Sequence, residues 1–133
     1  MTLVPLSTLL RRALLADAAA SGLSGALLSF AAPTLSALFG LPVLLLQSAG
    51  LFTLGYAVLV GWMGTRDALF RAAVWAVIVG NALWVVGSIE LLFTQSPTVL
   101  GAAYVIAQAA VVALLAELQF MGLRRSAAVL RVA

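Results

Sequence analysis

Between Arg71 and Glu90 runs AAVWAVIVGNALWVVGSI, a stretch without a charge and with a single amide, Asn81, near its middle. Carried on to Phe93, it supplies roughly twenty residues, which as a helix rising 1.5 Å per residue cover the roughly 30 Å hydrocarbon core of a bilayer. The same reading finds three companions, giving expected spans at 13–32, 42–64, 72–93 and 98–121. Composition excludes a soluble alternative. Of 133 residues, 65% are hydrophobic and 8% charged, whereas soluble domains carry about 25% charged residues. The expected fold is an all-α polytopic membrane protein, a four-transmembrane-helix bundle formed by residues 1–133 as one domain.

The seven basic residues are all arginines, and they set the orientation. Arg11 and Arg12 precede the first span, Arg66 and Arg71 lie between the second and third, and Arg124, Arg125 and Arg131 follow the fourth. With four crossings these groups share one side. Short loops rich in Arg stay in the cytoplasm, so both termini are expected there, in the inner (cytoplasmic) membrane of a cell. The arginines therefore read as topology signals, not as a nucleic-acid surface. Residues 1–12 imitate the start of a signal peptide, but Asp17 interrupts the apolar part that should follow, so the segment is expected to stay in the mature chain.

The residue inventory also removes much chemistry. Cysteine and histidine are absent, which excludes disulfides, thiolate chemistry and sites built on these ligands. Lysine is missing as well, so a lysine Schiff base is excluded. No cofactor or metal is expected, and no nucleophile and base stand at a telling spacing, so the chain does not read as an enzyme.

In the linker PTLSALFGLP, Pro33 can begin a short helix, Gly40 can end it and Pro42 can open the next span; the sequence does not decide between a turn of helix and an irregular segment. In the first span Ala18, Ser21, Gly22, Gly25 and Ser29 share one face at 100° per residue. Small residues let helices approach closely in lipid, so this face should pack inside the bundle or against another subunit. A shift of 64 residues aligns Asp17-Ala18 with Asn81-Ala82, Ser24 with Ser88 and Pro33-Thr34 with Pro97-Thr98. A shortened outer loop then sets Gln47 on Gln108. The halves would form a parallel repeat of two hairpins about an axis along the membrane normal.

Ionisable groups within membrane helices are costly and are functional candidates by default. Asp17 lies about 7 Å along the helix from Arg12, and Glu117 about 10 Å before Arg124. Two readings follow: an interfacial ion pair of Asp17 with Arg124 or Arg12, or a proton or cation site in an inward cavity. Glu90, near the opposite surface, reads as solvated, and Asp67 can pair with Arg71 one helical turn on. Asn81 and Gln108, at mid-depth, either bond to each other or line a pocket with Trp84 and Tyr104. The candidate ligand-binding set is thus Asp17, Gln47, Asn81, Trp84, Tyr104, Gln108 and Glu117. Small multidrug-resistance exporters share four spans and an acid in the first, yet Asp17 sits nearer the edge than that family's central glutamate. Fluoride channels share the size without a matching pattern around Asn81. Neither likeness holds. The expected partners are the lipid bilayer and either further copies of the chain or another membrane subunit. The first expectation for function is helix–helix association as a homo-oligomer or accessory subunit; the second is transport or binding of a small, lipophilic or cationic molecule in the polar pocket.

Overall fold

The computed structural model describes residues 2–132. Five helices account for most of them: α1 (Thr8–Phe30), α2 (Ala32–Phe39), α3 (Val43–Gly64), α4 (Arg71–Thr94) and α5 (Val99–Val132). Four of these, α1, α3, α4 and α5, are long and apolar enough to cross a membrane. Two three-residue strands, β1 (Leu3–Pro5) and β2 (Ala68–Phe70), pair antiparallel with Val4 opposite Leu69. This ribbon was not expected from the sequence. It fastens the apolar lead-in to the α3–α4 linker, with Val4 and Leu69 turned into the core.

Two helix boundaries depart from expectation. Helix α1 begins at Thr8 because Ser7, in extended conformation, accepts from Leu10 N with its side chain. That satisfies one of the orphan N–H groups of a helix start. The same hydroxyl donates to the Gly122 carbonyl at 2.9 Å, and Ser7 N donates to Ser126 Oγ at 3.0 Å. The start of α1 and the later part of α5 are thereby held together at one end of the bundle, the end that carries every arginine. Helix α5 continues through Arg124, Arg125 and Arg131 rather than stopping near residue 121.

At the other end α2 forms as the prolines and glycine of its linker suggest. Pro33 occupies its first turn, and Gly40 closes it in the left-handed region at φ 66°. Thr98 then covers the exposed carbonyls, its Oγ1 donating to Leu38 O at 2.7 Å and its N–H to Phe39 O at 2.9 Å. A side chain at position 40 would be strained by φ and would press on Thr98 at 3.1 Å. Gly40→Ala is expected to cost about 1–2 kcal/mol, read as a lowered thermal midpoint in detergent.

The most extensive helix packing joins α1 to α3. A Cβ at Gly25 would fall 2.9 Å from Gly50 O and from Leu54 N. Ala18, Gly22, Gly25 and Ser29 of the small face predicted from sequence are therefore packed against α3, whereas Ser21 turns to Asp17 and the cleft. Ser29 lies at the same crossing, beside Gly50, and its hydroxyl is buried without a hydrogen-bond partner. The remaining packing pairs α4 with α5 and α1 with α5, whereas α3 and α4 scarcely approach each other. Two apolar clusters fill the interior, one around Leu10, Leu14, Val60 and Leu123 at the arginine end, the other around Leu28, Phe39, Leu46 and Val105.

Candidate functional site

Between the two apolar clusters lies a polar layer to which each long helix contributes one side chain: Asp17 from α1, Tyr56 from α3, Asn81 from α4 and Gln119 from α5. Asp17 is 1% exposed. Its Oδ2 accepts from Tyr56 OH at 2.7 Å, Asn81 Nδ2 at 2.9 Å and Gln119 Nε2 at 2.7 Å. Its Oδ1 accepts from Ser21 Oγ, one turn on, at 3.2 Å. Asn81 Nδ2 also reaches Gln119 Oε1 at 3.0 Å. The phenol of Tyr56 has one proton for two nearby acceptors, Asp17 Oδ2 and, at 3.0 Å, Asn81 Oδ1. A buried carboxylate is tolerable only when hydrogen bonds replace its lost water, and four neutral donors do so here.

This overturns the ion-pair reading. Asp17 has no arginine partner, and the single ion pair among the described residues joins Arg11 to Asp67 at 3.8 Å. The expected Asp67–Arg71 pair is absent for the same reason: Asp67 turns toward Arg11, which also donates to Gly64 O at 2.8 Å. The direct Asn81–Gln108 bond is replaced too. Asn81 serves the Asp17 layer, while Gln108 accepts from Trp84 Nε1 at 2.9 Å and donates to Ser88 Oγ at 2.8 Å and Val105 O at 2.9 Å. On α1 and α5, Ser24 Oγ and Tyr104 OH meet at 2.7 Å.

A cavity of about 760 Å³ opens where α3 and α4 fail to pack. Asp17, Asn81, Trp84, Tyr104 and Gln108 from the candidate set all line it, as do Tyr56 and Ser21. Gln47 and Glu117 do not. Both are exposed, Gln47 on the flank of α3 and Glu117 on α5 two positions from the buried Gln119. Glu117 and Asp17 are therefore not brought together, and Glu90 is exposed as well. The floor of the cleft is small-sided: Ala20 and Ser21 of α1, Ala73, Ala76 and Gly80 of α4. A Cβ built on Gly80 would meet nothing within 4 Å. Small residues usually mark where helices touch in lipid; on this face of α4 no helix follows.

Long side chains of α3 reach across to α4. Tyr56 reaches Asn81, and away from the arginine end Phe52 stacks on Trp84 with ring centroids 6.0 Å apart and planes inclined by 7°. Trp84 is held by Gln108, so the α4 half of this bridge is fixed, whereas Phe52 is 63% exposed. At the arginine end the cleft is bordered by Trp62, Arg66, Leu3 and Phe70.

Asp17 is the only acid in the cleft, and no three acidic, histidine or cysteine side chains converge on a metal-sized position among the described residues. The arrangement thus offers an apolar volume with a self-satisfied polar layer along one wall. No protein-family model matches the chain, and no curated protein sequence or solved structure matches it either.

Sequence reasoning missed Tyr56 and Gln119 as partners of Asp17. A signal for Gln119 existed, since it shares the helical stripe of Gln108 and Leu115. Tyr56 had none, because α3 is apolar around that position and no other polar side chain of α3 points toward Asp17 in the sequence pattern.

Proposed function

We propose that the four long helices cross a lipid bilayer with the arginine end in the cytoplasm, and that the α3–α4 cleft binds a lipophilic molecule drawn sideways from the membrane. The observation that carries this reading is the open, small-floored volume at Gly80, beside helices that are otherwise closely packed. A volume of about 760 Å³ falls within the range of about 300–1,000 Å³ typical of ligand pockets. The polar layer serves as a rigid back wall, because its hydrogen bonds are already taken up within the protein. Self-association through the small face of α1 is less well supported, since α3 covers that face. We further read the hairpins α1–α3 and α4–α5 as the two halves of a parallel repeat. Asp17 and Asn81 would then be counterparts, in keeping with their direct bond. Under that relation an α3–α4 contact would match the α1–α5 contact, and the cleft occupies its place.

Two substitutions separate a ligand cleft from a passive gap. Gly80→Leu fills the cleft without a backbone clash, while Gly55→Leu adds the same side chain at a position also open for 4 Å but outside the cleft. Native mass spectrometry from mild detergent is expected to show a retained mass on the wild type and on Gly55→Leu, and at least a tenfold lower occupancy on Gly80→Leu. Equal occupancy in all three would sink the reading. A reporter fused after residue 133 that is active on the far side of the membrane would reverse the orientation.

A further inference from the structure

We propose that the occupant of the cleft is one acyl chain of an anionic membrane lipid, with the headgroup on Arg66; this rests on the ligand-cleft reading above. The polarity of the cleft decides which end of a ligand goes where. At its deep end every polar group already has a partner: Trp84 with Gln108, Gln108 with Ser88, and Ser24 with Tyr104. Asp17, midway, accepts four hydrogen bonds and asks for no cation. Nothing inside the cleft rewards a polar ligand group, so the part that enters is hydrocarbon.

The mouth is different. Arg66 is the one basic side chain that lines the cleft. Its guanidinium lies 5.0 Å from the Trp62 ring centroid, and its side-chain hydrogen bonds go only to its neighbour Thr65 Oγ1, at 3.4 and 3.3 Å. The acid closest in sequence, Asp67, is taken by Arg11. A guanidinium fork without a carboxylate, stacked on an indole, is suited to a phosphate or carboxylate oxygen pair. From Phe52 to its end at Gly64, α3 runs about 18 Å, and Arg66 follows two residues on, so a headgroup at Arg66 lets an extended chain reach beneath the Phe52–Trp84 bridge. That bridge also excludes a bulkier occupant. A helix about 10 Å across cannot lie in the α3–α4 gap while rings 6.0 Å apart close it.

The test uses the delipidated full chain in mild detergent, titrated with an equimolar mixture of phosphatidylglycerol and phosphatidylcholine bearing identical acyl chains and read by native mass spectrometry. Wild-type protein is expected to retain one phosphatidylglycerol with at least a fivefold preference. Arg66→Gln is expected to keep one bound lipid but to take both headgroups equally. Arg71→Gln, which removes an arginine outside the cleft, is expected to keep the preference. A preference that survives Arg66→Gln, that vanishes instead in Arg71→Gln, or that is missing from the wild type overturns the headgroup assignment while the cleft reading stands. Undiminished lipid on Gly80→Leu, whose thermal midpoint reports that it is folded, overturns the cleft reading and this assignment with it.

Discussion

Asp17→Ala is expected to lower the stability of the protein by about 2–4 kcal/mol, a larger effect than any substitution at the other three acids. The change strands donors from all four long helices, and an orphaned buried donor costs about 1–3 kcal/mol. Relaxation limits the total. Tyr56 can turn its proton to Asn81 Oδ1, and Asn81 keeps Gln119 Oε1, which leaves the Gln119 amide as the principal loss. Asp17→Asn keeps one acceptor but sets an amide nitrogen among facing donors, so an intermediate loss of about 1–2 kcal/mol is expected. Glu117→Ala, at an exposed position, should change stability by no more than about 0.5 kcal/mol. Thermal unfolding in detergent ranks the three variants. If Asp17→Ala melts with the wild type, the polar layer does not hold the helices together.

The second large effect is expected at the α1–α3 crossing. Gly25→Leu should prevent recovery of folded, monodisperse protein. A Cβ would meet Thr53 Oγ1 at 2.7 Å and the backbone of α3 at Gly50 and Leu54, both at 2.9 Å, and the backbone cannot swing aside. Gly25→Ala already forces the helices apart, at about 1–3 kcal/mol. Gly22→Ala provides the contrast. Its Cβ would sit 3.7 Å from that of Ala57, an ordinary contact, and alanine favours helix over glycine by about 1 kcal/mol. That variant should fold at least as well as the wild type. Comparable losses at both glycines, measured by size-exclusion profile and melting temperature, would mean that the crossing is not as close as described.

These sites differ in how far the sequence could reveal them. The four long helices were legible because apolar length is a direct requirement of a bilayer: α3 and α4 run to within a residue or two of the expected limits. The clustering of the arginines at one end followed from counting crossings. The spacing of Asn81, Trp84 and Ser88 puts all three on one face of α4, and there each finds a hydrogen-bond partner within the protein. Which partner each would find was not legible. Periodicity reports the direction of a side chain within its own helix, but not the rotation of its neighbours. Leu, Val and Ala are as well suited to lipid as to a core, so α3 gave no sign of which side would hold Tyr56. The sequence therefore suggested an arginine for Asp17, by depth, where the structure supplies two amides and a phenol. The ribbon was hidden for another reason. Three-residue strands leave no pattern, and β1 exists only because the linker at Ala68–Phe70 lies beside it.

That Asp17 draws its donors from all four long helices bears on how the chain is made. A nascent polypeptide released as far as α3 would offer the acid Ser21 and Tyr56 alone; the amides of Asn81 and Gln119 arrive with the last two segments. Ser7 likewise waits for Gly122 and Ser126 before the first helix can be locked against the last. Until the last two helices are made, Asp17 thus remains a half-served carboxylate, so the polar layer closes only when synthesis is complete.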